Sequence, residues 1–521
     1  MVLVRIGMDR VAAFSLLVSA TLAGCVSESP GSDESPIDDD DELDVQTSES
    51  SYQDGREEFR IEVGSTLDAV SAEARKALPE ASATTAEAAF AAAVAGDQRS
   101  FLEALASTVR PPFTPPNPPS GPDLDSCLQG SDAPGGKVFN RLMYCMTGHI
   151  GPTYVVWPFG EVGRADIDIQ VVAYGRDDGQ RNVKVFVRAT RASRSGCPAG
   201  PSTVVRVWVD CADPTDIGCS AGGSMVAQTV SDWSGDHSWH EFTIQSNENI
   251  AAGVQDKVLR HKWVVRSQAR FTGGCFFPGG ETTTASFAAR IIRCDSATYF
   301  RGRNAACIHD EVIPHLQYRT SEPEVDDVAC HLLRAQDDPS MTWPDFGAVK
   351  LIPGKFEAGN PSAPGLHRVK YRGATYTANV AEKNRACRRQ AAYADPAPGV
   401  PGRGLPAVYY KPPGQECDEY PFATTQEGAG SRGPNSPPPA TFSVLGVKKS
   451  DNRCAGLALQ RYYLEDRILY DHDKFFVQIH NDGSCPALDP PPPAPPEDPI
   501  VCPGEPGDFE DGAGTWDPED I

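Results

Sequence analysis

The clearest pattern along the chain is a period of two. Ile167, Ile169 and Val171 alternate with Asp166, Asp168 and Gln170. Val183, Val185 and Val187 repeat the alternation, and so do Val205, Val207 and Val209. Successive side chains on a strand face opposite ways, so each run predicts a strand with one buried face. Further runs span Trp239 to Ile244, Lys262 to Phe271 and Thr282 to Ile292. Turn signals such as Arg176-Asp177-Asp178-Gly179 and Phe277-Pro278-Gly279-Gly280 separate them. Short strands so punctuated predict an antiparallel, sandwich-like β domain over residues 127–293. His237 and His240 flank Trp239 here and read as surface residues.

The pattern changes on either side. In residues 59–110, Leu67, Val70, Ala74 and Leu78 fall at helical spacing, as do Phe101, Leu102 and Leu105, which predicts a helical region. Pro111 to Pro122 is proline-dense and reads as part of a stiff linker over 111–126. Residues 294–480 are mixed. Helices are expected over Val325–Gln336, Tyr376–Tyr393 and Gly456–Glu465, and strands over Thr441–Val447 and Phe475–Ile479. The predicted class is multidomain: a β-rich region, then a small α+β domain.

The N-terminus reads as a secretory signal. Arg5 and Arg10 precede the apolar run Val11–Leu22, which is too short to span a bilayer. Leu22-Ala23-Gly24-Cys25 then resembles a bacterial lipobox, so 1–24 would be removed and Cys25 lipid-modified. Val26 in the next position favours outer-membrane sorting by analogy with other lipoproteins. Two or more acyl chains anchor stably, so the expected location is the cell envelope, on a membrane rather than across it. Of the 15 cysteines, 14 remain once Cys25 is set aside, and Cys-x-x-Cys does not occur. In an exported protein this points to disulfides rather than zinc. Near neighbours in sequence are Cys127–Cys145, Cys211–Cys219, Cys294–Cys307 and Cys485–Cys502.

A net charge of −24 argues against a polyanionic partner until its distribution is considered. Val26 to Glu58 holds 13 acidic residues and one basic, net −12; Asp489 to Ile521 holds 10 acidic and none basic, net −10. These account for −22 of the −24. Such Ser-, Pro- and acid-rich stretches predict a disordered tether over 25–58 and a disordered tail over 481–521. Leu366 to Ile479, in contrast, carries 16 Lys or Arg against 11 Asp or Glu, net +5. Arg385, Arg388 and Arg389, with Lys448 and Lys449, could track a phosphate backbone.

The candidate chemistry lies in this basic segment. Cys417-Asp418-Glu419-Tyr420-Pro421-Phe422-Ala423, followed by Glu427-Gly428-Ala429, places three carboxylates within ten residues of a loop-prone, proline-bounded stretch. Carboxylates so close repel unless a cation compensates. Asp418 and Glu419 are adjacent, so in an extended segment they point to opposite sides. Downstream stand Ser450-Asp451-Asn452-Arg453-Cys454-Ala455-Gly456 and Arg467-Ile468-Leu469-Tyr470-Asp471-His472-Asp473-Lys474-Phe475. Upstream stands Ala329-Cys330-His331-Leu332.

These motifs resemble the NucA/NucB deoxyribonucleases. The first is similar to their Asp-Glu-aromatic-Pro…Glu-Gly signature and the second to Ser-Asp-Asn-Arg-x-Ala-Gly. The third resembles the closing segment of the longer secreted members, with His472 and Lys474 in place of Gly and Pro. The fourth resembles a helix with an Ala-x-His-Ile core. The tight resemblance covers about 366–479, and a looser one reaches back to 294. It implies a DNA-cleaving domain over 294–480 with little sequence preference and a divalent metal, Mg²⁺ or Mn²⁺, held by hard oxygen ligands. By motif, Asp418, Glu419 and Glu427 are the expected metal and base carboxylates, with Asp418 and Glu427 on the metal. Asn452 would orient water or phosphate, Arg453 would pair with phosphate beside Lys448, Lys449 and Arg388, and His331 would serve as general acid or base. Expected partners are DNA, a membrane through Cys25, and an inhibitor protein if the chain acts as a toxin. The competing reading is a non-catalytic surface lipoprotein that binds DNA or glycan through its β-rich domain.

Overall fold

The structure is a computed structural model, and it describes residues 50–54, 57–65, 111–129, 136–196, 203–271, 279–344, 350–387, 415–432 and 442–485. The signal segment, Cys25, the predicted helices beyond residue 65, Arg388 and the tail from 486 lie outside these residues.

Two antiparallel sheets form the β-rich part. The larger contains β1 (Ser50–Asp54), β2 (Glu57–Ser65), β3 (Lys137–Asn140), β4 (Met143–Val156), β5 (Gly160–Tyr174), β6 (Asn182–Gly196), β8 (Cys219–Gly222) and β10 (His240–Ser246). The second is built on β7 (Val204–Cys211), β9 (Val226–Thr229), β11 (Leu259–Phe271), β14 (Arg290–Asp295) and β15 (Ala306–His309), with the short β12 (Gly280–Glu281) and β13 (Ala285–Ser286) on β11. The valines and isoleucines of the period-two runs meet between the sheets. Ile167, Val171, Val185, Val205, Val265 and Ile292 belong to one buried cluster. Each such side chain contributes about 1.5–3 kcal/mol on burial, which is why the alternation sets the sandwich.

Three expectations are corrected here. Glu57–Ser65 is a strand rather than the end of a tether and the start of a helical region. Phe59, Ile61 and Val63 alternate with Glu58, Arg60 and Glu62, and the three apolar residues are 3%, 0% and 1% exposed in the main core. The surrounding acidity hides this alternation in the sequence. The proline-dense stretch is docked: the Phe113 N–H donates to Asp177 and Thr114 Oγ1 to Asp178, and a helix, α1 (Pro122–Gln129), follows. The β-rich part also runs past residue 293, because β14 pairs with β15.

The second part contains β16 (His315–Arg319), α3 (Asp326–Asp337), β17 (Leu366–His367), α4 (Ala374–Cys387), β18 (Gln415–Tyr420), β19 (Ser443–Lys448), α5 (Lys449–Glu465) and β20 (Lys474–His480); α2 (Val230–Gly235) lies in the β-rich part. β20 pairs in parallel with β16 and antiparallel with β17. β18 and β19 form a separate antiparallel ribbon, with Asp418 opposite Leu445, and α5 follows β19 directly. Leu332, Tyr420, Val447, Leu459, Phe475 and Val477 share its core. The acidic motif is thus a buried ribbon strand and not a solvated loop.

Disulfides join Cys127–Cys145, Cys211–Cys219 and Cys294–Cys307, as the spacing suggested. Cys485 pairs with Cys330 instead of Cys502, and Cys387 pairs with Cys417. A buried ionic clasp ties the two parts. Arg467 grips Asp295 and donates to the Arg303 carbonyl, while Arg293 pairs with Asp473. No helix among the described residues is long and apolar enough to cross a membrane.

Candidate functional site

β18 presents two faces, as adjacency of Asp418 and Glu419 requires. Glu416, Asp418 and Tyr420 turn toward α3 and α5. Asp418, 2% exposed, meets His331 Nδ1 through Oδ2 at 2.6 Å. His331 Nε2 lies 2.7 Å from Ser443 Oγ on β19. With Asp418 ionised, the Nδ1–H donates to it and Ser443 donates to Nε2. Two residues earlier on the same face, Glu416 Oε2 accepts from Asn452 Nδ2 at 3.0 Å. Asn452 is 1% exposed, and its Oδ1 has no hydrogen-bond partner among the described residues. Lys449 Nζ comes within 3.9 Å of Glu416. The ribbon and two helices therefore gather Glu416, Asp418, His331, Ser443 and Asn452.

The other face of β18 turns toward α4. Cys417 is bonded there to Cys387. Glu419, fully buried, accepts from the Ala429 N–H at 2.7 Å through Oε1, and its Oε2 has no hydrogen-bond partner among the described residues. Burial pushes its carboxyl up to about 8, against the opposing pull of Lys383. Glu419 thus holds the loop after the motif from behind the ribbon. Glu427 lies farther along that loop and is engaged by His367, whose N–H donates to Oε2 at 2.9 Å and whose Nδ1 lies 2.8 Å from Oε1. The structure joins Asp418 to His331 and Glu427 to His367.

The basic residues divide likewise. Lys448 sits amid Asp326 at 2.9 Å, Asp327 at 3.5 Å and Asp451 at 3.6 Å. The Asp327 N–H also donates to Asp451, at 3.2 Å. Desolvation and the neighbouring Asp326 raise the Asp451 carboxyl to about 7. Lys448 is thereby committed to neutralising three acids. Arg453 is half-buried in the first turns of α5. Arg467 and Asp473, from the closing motif, belong to the interdomain clasp.

Sequence reasoning missed Glu416 and Ser443. Glu416 carries a usable signal, since it sits two residues before Asp418 and shares its face once the segment is read as a strand. Nothing in a single sequence singles out Ser443.

Residues 365–478 match the family model of deoxyribonuclease NucA/NucB. The matched span contains β17, α4, the whole ribbon and α5, and ends within β20. His331 and α3 precede it. No curated protein and no solved structure matches the chain.

Proposed function

We propose that the chain is a divalent-metal-dependent endodeoxyribonuclease with little sequence preference, exported and lipid-anchored at Cys25. The matched domain supports a deoxyribonuclease-type function. The observation that carries the metal reading is the oxygen-rich face of β18. Glu416 and Asp418 stand on it beside Asn452, whose buried Oδ1 is an acceptor with no donor among the described residues. A buried orphan acceptor costs about 1–3 kcal/mol, and a hard cation with oxygen preference satisfies it. In this reading Asp418, Glu416 and Asn452 hold Mg²⁺ or Mn²⁺. Glu427, the other expected metal ligand, is taken up by His367 and positions its loop.

When bound, the metal supplies charge stabilisation to the phosphoryl oxygens and acidity to a coordinated water. The chain's own residues do the rest. The Asp418–His331 couple, kept from solvent and fixed by Ser443, accepts the proton released by the attacking water. Arg453 and Lys449 at the start of α5 steady the phosphate backbone. Glu419 and the Cys387–Cys417 bond hold the ribbon's rear face, so the front-face carboxylates keep their orientation. Disulfides throughout the described residues suit an oxidising compartment, in line with export.

Supercoiled plasmid incubated with the purified protein tests the reading. Nicking in Mg²⁺ or Mn²⁺ that stops with chelator is expected. Intact plasmid under every divalent metal tried would overturn it.

A further inference from the structure

A cavity of about 260 Å³ lies between the β-rich part and the nuclease-like part, near the lower end of small-molecule pockets, roughly 300 Å³. Its walls come from the proline-dense stretch and α1, from the turn between β3 and β4, and from β16 and the C-terminal half of α5. We propose that it binds a small organic anion carrying one charged group on an apolar or aromatic body.

The charged end follows from Arg141. This residue lines the cavity and is 4% exposed, yet its Nε and Nη1 have no hydrogen-bond acceptor among the described residues. The nearest carboxylate, Asp473, stands 3.6 Å from Nη1, beyond hydrogen-bond reach. Asp473 is already taken, Oδ1 by Arg293 and Oδ2 by the Leu469 N–H. Buried guanidinium donors are normally matched, and a carboxylate or phosphate matches them in a bidentate fork. Arg461, 3% exposed on α5, adds a second guanidinium to the lining.

The body of the ligand follows from the remaining walls. Phe113, Leu142, Met143, Tyr174 and Leu316 offer apolar and aromatic surface. The number of charges follows from the acids. Asp123, Glu465 and Asp466 also line the cavity, and all three are more exposed than the arginines. They oppose a highly charged anion such as a triphosphate, while the unmatched donors of Arg141 call for one anionic group.

Two sources share this chemistry, an aromatic carboxylate and a mononucleotide, and calorimetry with the full chain separates them. The probes are 4-hydroxybenzoate and deoxyadenosine 5′-monophosphate, with phenol and deoxyadenosine as uncharged controls. Saturable binding of either anion, without binding of its uncharged control, is expected, and the anion that binds names the source. Arg141→Gln should weaken it roughly tenfold or more, the equivalent of losing a hydrogen bond to a charged group at about 1.5–3 kcal/mol. Ser120→Trp, at an exposed lining position, should block the cavity without touching Arg141 and decides the matter if Arg141→Gln fails to fold. Asp418→Ala should bind as the parent does, which separates this cavity from the candidate catalytic centre. Lack of binding by both anions, equal binding of the uncharged controls, or binding unchanged in Ser120→Trp would each overturn the proposal.

Discussion

Arg467 offers the sharpest energetic prediction. Its guanidinium is 2% exposed and faces Asp295, which is 0% exposed. Nε donates at 2.9 and 3.1 Å and Nη2 at 2.6 Å, while Nη1 donates to the Arg303 carbonyl at 2.6 Å. The Phe300 ring lies 4.6 Å from the guanidinium carbon. Its backbone sits at φ 50°, a conformation that needs surrounding contacts to hold it in a non-glycine residue. In Arg467→Met, Asp295 keeps Arg293 Nη2, at 3.6 Å, as its ion-pair partner among the described residues. Stranding one member of a buried ion pair costs about 3–5 kcal/mol. At about 2–4 °C per kcal/mol for a unit of this order of size, Tm should fall by roughly 10 °C. The paired change Arg467→Met with Asp295→Leu removes both charges and should recover much of the loss. Differential scanning calorimetry of the oxidised chain reads both. A fall below about 3 °C, or a double variant no better than the single one, would refute the clasp as an energetic link.

Three further outcomes follow from the same geometry. The raised Glu419 carboxyl, about 8 in the fold against 4.5 ordinarily, means that the folded state binds this proton more tightly than the unfolded chain. Its contribution is therefore most favourable below pH 4.5 and declines as pH rises to about 8, by up to roughly 4 kcal/mol. Glu419→Gln should flatten Tm against pH over that window, and parallel curves would contradict the assignment. Asn452→Ala removes the donor to buried Glu416, so Tm should fall by an amount equivalent to about 1–3 kcal/mol and nicking should fall by more than the stability loss explains; unchanged nicking would remove Asn452 from the site. Gly430→Ala places a Cβ against the backbone of Ala378 and Asn379 in α4, so the loop that Glu419 holds should shift, with a lower Tm and slower nicking at constant metal; a variant indistinguishable from the parent would show that the loop has slack.

The β sandwich was legible because its signal is local. Alternating valines such as Val183, Val185 and Val187 carry their face assignment in the chain itself. β2 was not, since the acids around Phe59, Ile61 and Val63 gave the segment the composition of a tether. Motif resemblance names Asp418, His331 and Asn452, which the ribbon and two helices gather on one side, and the adjacency argument puts Asp418 and Glu419 on opposite faces, as β18 does. Glu416 was lost because the prolines near the motif made a strand read as a loop. The clasp made by Arg467 and Asp473 is hidden in the sequence, because their partners Asp295 and Arg293 lie more than 170 residues upstream, a separation no periodicity reports. The same holds for Cys330–Cys485, 155 residues apart.

The central claim is that the front face of β18 performs metal-dependent cleavage of DNA. Its most direct test is the nicking rate of the full chain and of Asp418→Ala on supercoiled plasmid at saturating Mn²⁺, with circular dichroism confirming that both are folded. The parent should nick, with chelator abolishing the activity, and the folded variant should be slower by about a hundredfold or more, as expected when the Asp418–His331 couple loses its carboxylate. A folded Asp418→Ala that nicks at the parental rate would contradict it.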